Sequence, residues 1–159
     1  MSEMRLDWGS VRTRDGVKPD AAVLDVFVTS EDIDTVYDAY CRIEHAAFYN
    51  RDLEEAALPL TSALIEMVCS GRCTHWGLTM ATDALYEISL GQTMREEETD
   101  GTGLADRCRS IIRDNLPRGL LGVSRTALKA VFQAACLVAR CSSSTSLGVL
   151  YPRAEWSRF

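Results

Sequence analysis

The chain has 159 residues, 47% of them hydrophobic and 25% charged, which is enough apolar material for one buried core and too much for a disordered tail. No run approaches the ~20 consecutive apolar residues that a membrane helix needs, and the polar opening MSEMRLDWGSVRTRDG does not read as a signal peptide, so cytoplasmic residence is the expectation. The net charge of −6 is unevenly spread: residues 1–105 carry 8 Lys/Arg against 20 Asp/Glu and residues 106–159 carry 9 against 3, which argues against a general coat for nucleic acid or anionic membrane.

Residues 1–18 read as an irregular arm whose one large apolar side chain, Trp8, is able to dock on the body. After Pro19-Asp20, the run AAVLDVFV sets Val23, Leu24 and Phe27 at helical spacing, and a short helix is expected because no partner strand is evident elsewhere. Thr29-Ser30-Glu31-Asp32 reads as a cap followed by acids that complement a helix N-terminus. The helix beyond it should run to about Ala47, with Ile33, Val36, Tyr37, Tyr40, Ile43 and Ala47 inward and Asp34, Asp38 and Arg42 outward.

Residues 50–91 form the centre of the pattern, two amphipathic helices joined by a short turn. In the first, Ala56, Ala57, Leu60, Ala63, Leu64, Met67 and Val68 share one face, with Glu54, Glu55, Thr61, Ser62 and Glu66 off it; Pro59 marks a kink or a start near Leu58. Ser70-Gly71 supplies a left-handed stop and Thr74 a cap for the second helix, where Leu78, Ala81, Leu85 and Ile88 make the stripe up to Gly91. The charged segment QTMREEETDGTG then reads as a loop. Leu104, Ala105, Cys108, Ile111 and Ile112 give another amphipathic helix, stopped near Leu116-Pro117, and Ser124 caps a last, nearly all-apolar helix through Ala127, Leu128, Val131, Ala134, Ala135 and Val138. The chain therefore divides into an arm (1–18), a helical domain (19–141) and a Ser-rich, then aromatic, tail (142–159).

This succession resembles the bacterial HEAT-like repeat proteins over residues 20–140, carried by Ala56-Ala57 and Pro59 at the opening of one helix and by Cys108-Arg109 in the next block. The resemblance implies an all-α fold of about five to six helices, stacked as antiparallel pairs in an α-α superhelix, used to bind other proteins or peptides and sharing no catalytic motif.

The candidate chemistry is sparse. Cys41 and His45 lie four apart on one helix, and Cys69, Cys73 and His75 gather at a turn, but only Cys69-x-x-x-Cys73 has a spacing used by structural zinc, so no metal and no cofactor is expected and the six cysteines are taken as mostly buried thiols. Asp83 and Glu87 share a helix face, where burial together would raise one carboxyl, yet no set of nucleophile, base and orienting group is present. Gly101-Thr102-Gly103 has no Gly-Lys-Ser/Thr sequel and is no phosphate loop. Arg107, Arg109, Arg113, Arg118, Arg125 and Lys129 make a basic side, with Arg109 and Arg113 stacked four apart, but without interleaved aromatic platforms nucleic acid is disfavoured as a partner.

The functional expectation is a non-enzymatic module for a basic protein or peptide, such as an immunity- or antitoxin-like protein or an accessory scaffold of a biosynthetic operon, with Asp34, Asp38, Glu54 and Glu55 as its acidic face and Arg109 and Arg113 as a second, basic one. No membrane partner is expected, and an open stack end with an apolar tail would suit a homodimer. The alternative is a small helical enzyme or ligand-binding protein with a core pocket near Tyr40, His45 and Trp76.

Overall fold

The computed structural model of the chain describes residues 6–93 and 103–119, with side chains to 115. The sequence-predicted helix from Ser124, Arg125, Lys129 and the tail lie outside the described residues. Among those described there are five α-helices and no β-strand: α1 (Val26–Thr29), α2 (Ile33–Ala47), α3 (Ala57–Ser70), α4 (His75–Leu90) and α5 (Leu104–Gly119). A lone parallel bridge joins Asp52 to Gln92.

Local chemistry sets the helix ends. The Asp32 carboxylate accepts from the Thr35 N–H at 3.0 Å to open α2, and Thr74 Oγ1 accepts from the Gly77 N–H at 3.1 Å to open α4. Gly71 closes α3 with φ of 65°, a conformation that costs a residue with a Cβ about 1–2 kcal/mol. Pro59 produces no kink. It is the third residue of α3, where the missing N–H would have had no intrahelical acceptor. The expected stop at Leu116-Pro117 is overrun, for α5 continues to Gly119 with Pro117 in its last turn.

Helix α3 packs on α4 and α5, α2 packs on α1 and α4, and α4 touches each of the other four helices. Helix α3 buries two faces. Leu60, Leu64, Met67 and Val68 follow the expected stripe, while Thr61 and Ile65, one face round, are also buried. Thr61 tolerates full burial because its hydroxyl donates to the Ala57 carbonyl one turn back at 2.6 Å, and it lies against the buried Cys108 thiol of α5.

Helix α4 meets α1 through its glycine. A Cβ at Gly77 would fall 1.8 Å from the Phe27 carbonyl oxygen, and that oxygen accepts from the Thr74 N–H (3.1 Å) and hydroxyl (3.3 Å). Gly77 thus lets the start of α4 sit on the backbone of α1, whose Phe27 side chain is fully buried.

The arm docks as Trp8 suggested. Trp8 is 2% exposed and joins the core with Val23, Leu24 and Phe27. The Arg12 carbonyl accepts from the Ala56 N–H at 3.0 Å, which ties the arm to the start of α3.

Candidate functional site

The expected acidic face divides in two. Glu54 and Glu55 contact the arm: Glu54 is 5% exposed and meets the Arg12 guanidinium (Nε to Oε2, 3.6 Å), and the exposed Glu55 accepts from the Arg12 N–H at 3.0 Å. Both lie just before α3, where the arm crosses. Next to them Arg14 donates to the Tyr49 carbonyl at 3.2 Å, covers the Tyr49 ring at 5.0 Å and pairs with Asp52 at 3.6 Å.

Asp34 and Asp38 do face solvent from α2, and Asp38 pairs with Arg42 at 2.6 Å across one turn. Between them the structure departs from expectation. Ile33 and Tyr37 are 41% and 55% exposed. Helix α2 is covered by α1 and α4 along Val36, Ala39, Tyr40, Ile43 and Ala46-Ala47, and the Ile33–Tyr37 ridge lies just outside that contact. The Tyr37 ring is held by stacking on Tyr40, with centroids 6.2 Å apart and planes 12° apart. Its hydroxyl also interacts with Cys41, which pushes the phenol pKa up.

Behind this ridge runs a charged seam between α2 and α4. Tyr40 is nearly buried, and its hydroxyl bonds to Asp83. Burial, and then the negative charge of Asp83, hold that phenol protonated well above its ordinary range. Glu44, one turn beyond Tyr40, is half-buried, and loss of water followed by the charges of Glu87 and Asp83 push its carboxyl up. Asp83 is exposed to solvent on α4; partial loss of hydration still pushes its carboxyl up, the Tyr40 hydroxyl opposes the rise, and the charge of Glu87 adds to it. Arg51 grips Glu87 side-on, Nε to Oε2 at 2.7 Å and Nη2 to Oε1 at 3.3 Å. It reaches α4 from a turn in which Asn50 (φ 52°) and Arg51 (φ 65°) are both left-handed. Sequence reasoning paired Asp83 with Glu87 and missed Glu44 and Arg51. The legible signal for Glu44 was its i+4 spacing from Tyr40; Arg51 depends on a turn that spacing does not reveal.

The basic pair also separates. Arg113 is exposed, whereas Arg109 caps the C-terminus of α4, donating to the Ser89 carbonyl (3.0 Å) and the Gly91 carbonyl (2.8 Å) while pairing with Asp106 at 2.7 Å. Tyr40, His45 and Trp76, named together for a core pocket, have different ring neighbours. Tyr40 packs with Tyr37 and Phe48, His45 with Tyr49, and Trp76 with His75.

No three His, Cys, Asp or Glu side chains converge as a metal set among the described residues, so Cys41, His45, Cys69, Cys73 and His75 do not assemble one. All four described cysteines are free thiols, and the expectation that most are buried holds only for Cys108; Cys41 and Cys73 are half-buried and Cys69 is exposed. Burial pushes the Cys73 thiol up to about 11 and those of Cys69 and Cys108 up as well, the opposite of an activated nucleophile. None of the described helices is long and apolar enough to cross a membrane. No family model, curated protein or solved structure matches the chain.

Proposed function

We propose that the protein is a non-enzymatic, HEAT-like helical module that binds a basic segment of another protein through the outward face of α2, at Ile33, Asp34, Tyr37 and Asp38. The observation that carries the reading is Tyr37, an exposed aromatic ring fixed in place by Tyr40 and flanked on its own helix by two carboxylates. A guanidinium or ammonium group stacks on such a ring with about 0.5–1 kcal/mol at an exposed site. Asp34 and Asp38 add charge complementarity that speeds encounter. Ile33 contributes apolar contact. Stacking of Tyr37 on Tyr40 lowers the side-chain entropy lost on binding. Contacts between the successive helices α3 and α4 and between α4 and α5 are those expected of a stack in which each helix packs on its neighbours in sequence. An immunity-like neutraliser of a basic protein fits this chemistry.

Selection of a displayed random peptide library on the immobilised full chain tests the reading. Enriched peptides should carry Arg or Lys beside apolar residues and should lose at least tenfold in affinity for Tyr37→Ala and for the Asp34→Asn, Asp38→Asn double variant. Peptides without basic residues, or basic ones that bind both variants as well as the parent, would overturn it.

A further inference from the structure

Three side chains fasten the arm to the body. Trp8 joins the core with Val23, Leu24 and Phe27. The Arg12 guanidinium faces Glu54 at 3.6 Å, while the Arg12 N–H donates to Glu55 (3.0 Å) and its carbonyl accepts from the Ala56 N–H (3.0 Å). Arg14 covers the Tyr49 ring at 5.0 Å, pairs with Asp52 at 3.6 Å and donates to the Tyr49 carbonyl at 3.2 Å. Over residues 49–56 the body therefore offers three carboxylates, an aromatic face and two backbone groups to a segment that reads aromatic anchor, then Arg-x-Arg. A buried aromatic, charge-assisted bonds and stacking of a guanidinium on a ring are the contacts by which one protein grips a basic segment of another.

The arm is an imperfect occupant of that seat. Trp8 Nε1 and Thr13 Oγ1 are buried with no hydrogen-bond partner among the described residues, and a buried polar group left unmade costs more than a hydrogen bond returns. Asp15, where the arm turns away, is left-handed (φ 52°), a conformation disfavoured for any residue with a Cβ. The contacts of Arg12 and Arg14 require none of these three features, so a segment from elsewhere that lacks them fits better.

We infer that the seat at Tyr49, Asp52, Glu54, Glu55 and Ala56, together with the core site of Trp8, is a docking surface for another protein's segment carrying an aromatic anchor and, four and six residues on, two arginines, and that the arm is its tethered competitor. Covalent attachment gives the arm an effective concentration in roughly the millimolar range, so only a segment that fits better displaces it. The seat shares no residue with the outward face of α2 at 33–38, and each can fail without the other.

The probe is a labelled peptide of residues 6–18, titrated by fluorescence anisotropy into the full chain. Trp8→Ala, whose own arm has lost its anchor, should bind it saturably and at least tenfold more tightly than the parent, whose arm competes. On that variant a peptide with Arg12→Gln and Arg14→Gln should lose at least tenfold, and one with Thr13→Val, which removes the unpartnered hydroxyl, should gain at least threefold. Amide and aromatic NMR shifts of the labelled chain should centre on Tyr49, Glu55 and Ala56. Circular dichroism checks the folding of Trp8→Ala; if it is unfolded, a chain with Arg12→Gln and Arg14→Gln, which loosens the arm and keeps Trp8 in the core, takes its place and should bind the unaltered peptide at least threefold more tightly than the parent does. Equal affinity of the parent and opened chains, a scrambled peptide that binds as well, a Thr13→Val peptide that binds no more tightly, or shifts centred on residues 33–38 would each overturn the tethered competitor. A parent found dimeric by light scattering beside a monomeric Trp8→Ala chain would give the seat to the arm of a second copy and overturn it as well.

Discussion

Replacing Gly77 with alanine separates an ordinary helix glycine from one that sets a helix–helix distance. In an exposed helix the change stabilises by up to about 1 kcal/mol, through propensity alone. Here the added Cβ would stand 1.8 Å from the Phe27 oxygen, 2.6 Å from its carbon and 2.8 Å from its Cα, all backbone atoms that cannot rotate away. Reaching ordinary contact requires α1 to retreat by roughly 1.5 Å. That retreat strains a core holding fully buried Phe27, an overpacking cost of about 1–3 kcal/mol. It also stretches the two bonds from Thr74 to the Phe27 carbonyl, each worth about 0.5–1.5 kcal/mol. Set against the propensity gain, the net loss is about 2 kcal/mol, or a Tm drop of roughly 4–8 °C. Urea and thermal unfolding of Gly77→Ala beside the parent measure it. A variant equally stable or more stable would refute the close docking of α4 on α1.

Arg109→Gln should destabilise by about 2 kcal/mol in urea titrations, since it unties the α4 carbonyls of Ser89 and Gly91, whereas Arg113→Gln on the same helix should change stability by less than about 0.5 kcal/mol. Trp8→Ala removes the anchor of the arm at a cost of about 3–5 kcal/mol and should speed tryptic cleavage after Arg12 and Arg14; cleavage at the parent rate would place the anchor elsewhere. Gly71→Ala should lose about 1–2 kcal/mol from its left-handed cap, with no change in the helical circular dichroism per folded molecule.

Elements whose information is local were legible in the sequence. The ends of α2, the Gly71 stop, the Thr74 cap and the apolar stripes of α3 and α4 depend on neighbours a few residues away, where capping chemistry and the 3.6-residue period are informative. What escaped depends on partners distant in the chain. Ile33 and Tyr37 fit the inward period of α2, but only the positions of α1 and α4 decide where the covered face ends. Thr61 looked polar until α5 arrived on its side of α3. Glu54 and Arg109 looked like surface charges because their partners, Arg12 and the end of α4, lie 42 and 18–20 residues away. Gly77 left a readable trace, a glycine in the first turn of a helix, far from the C-terminal end where a cap would call for one, which signals close approach of another backbone. The candidate site was therefore half legible: Asp34 and Asp38 were named from their outward spacing, while the aromatic ring between them was assigned to the core.

The reading of α2 as the docking face is tested most directly by amide and aromatic NMR shifts of the labelled chain, titrated with an Arg/Lys-rich peptide taken from the library selection. The account predicts saturable shifts concentrated at residues 33–38 and on the Tyr37 ring, abolished in Tyr37→Ala. Saturable shifts centred on another helix, with residues 33–38 unmoved, would contradict it.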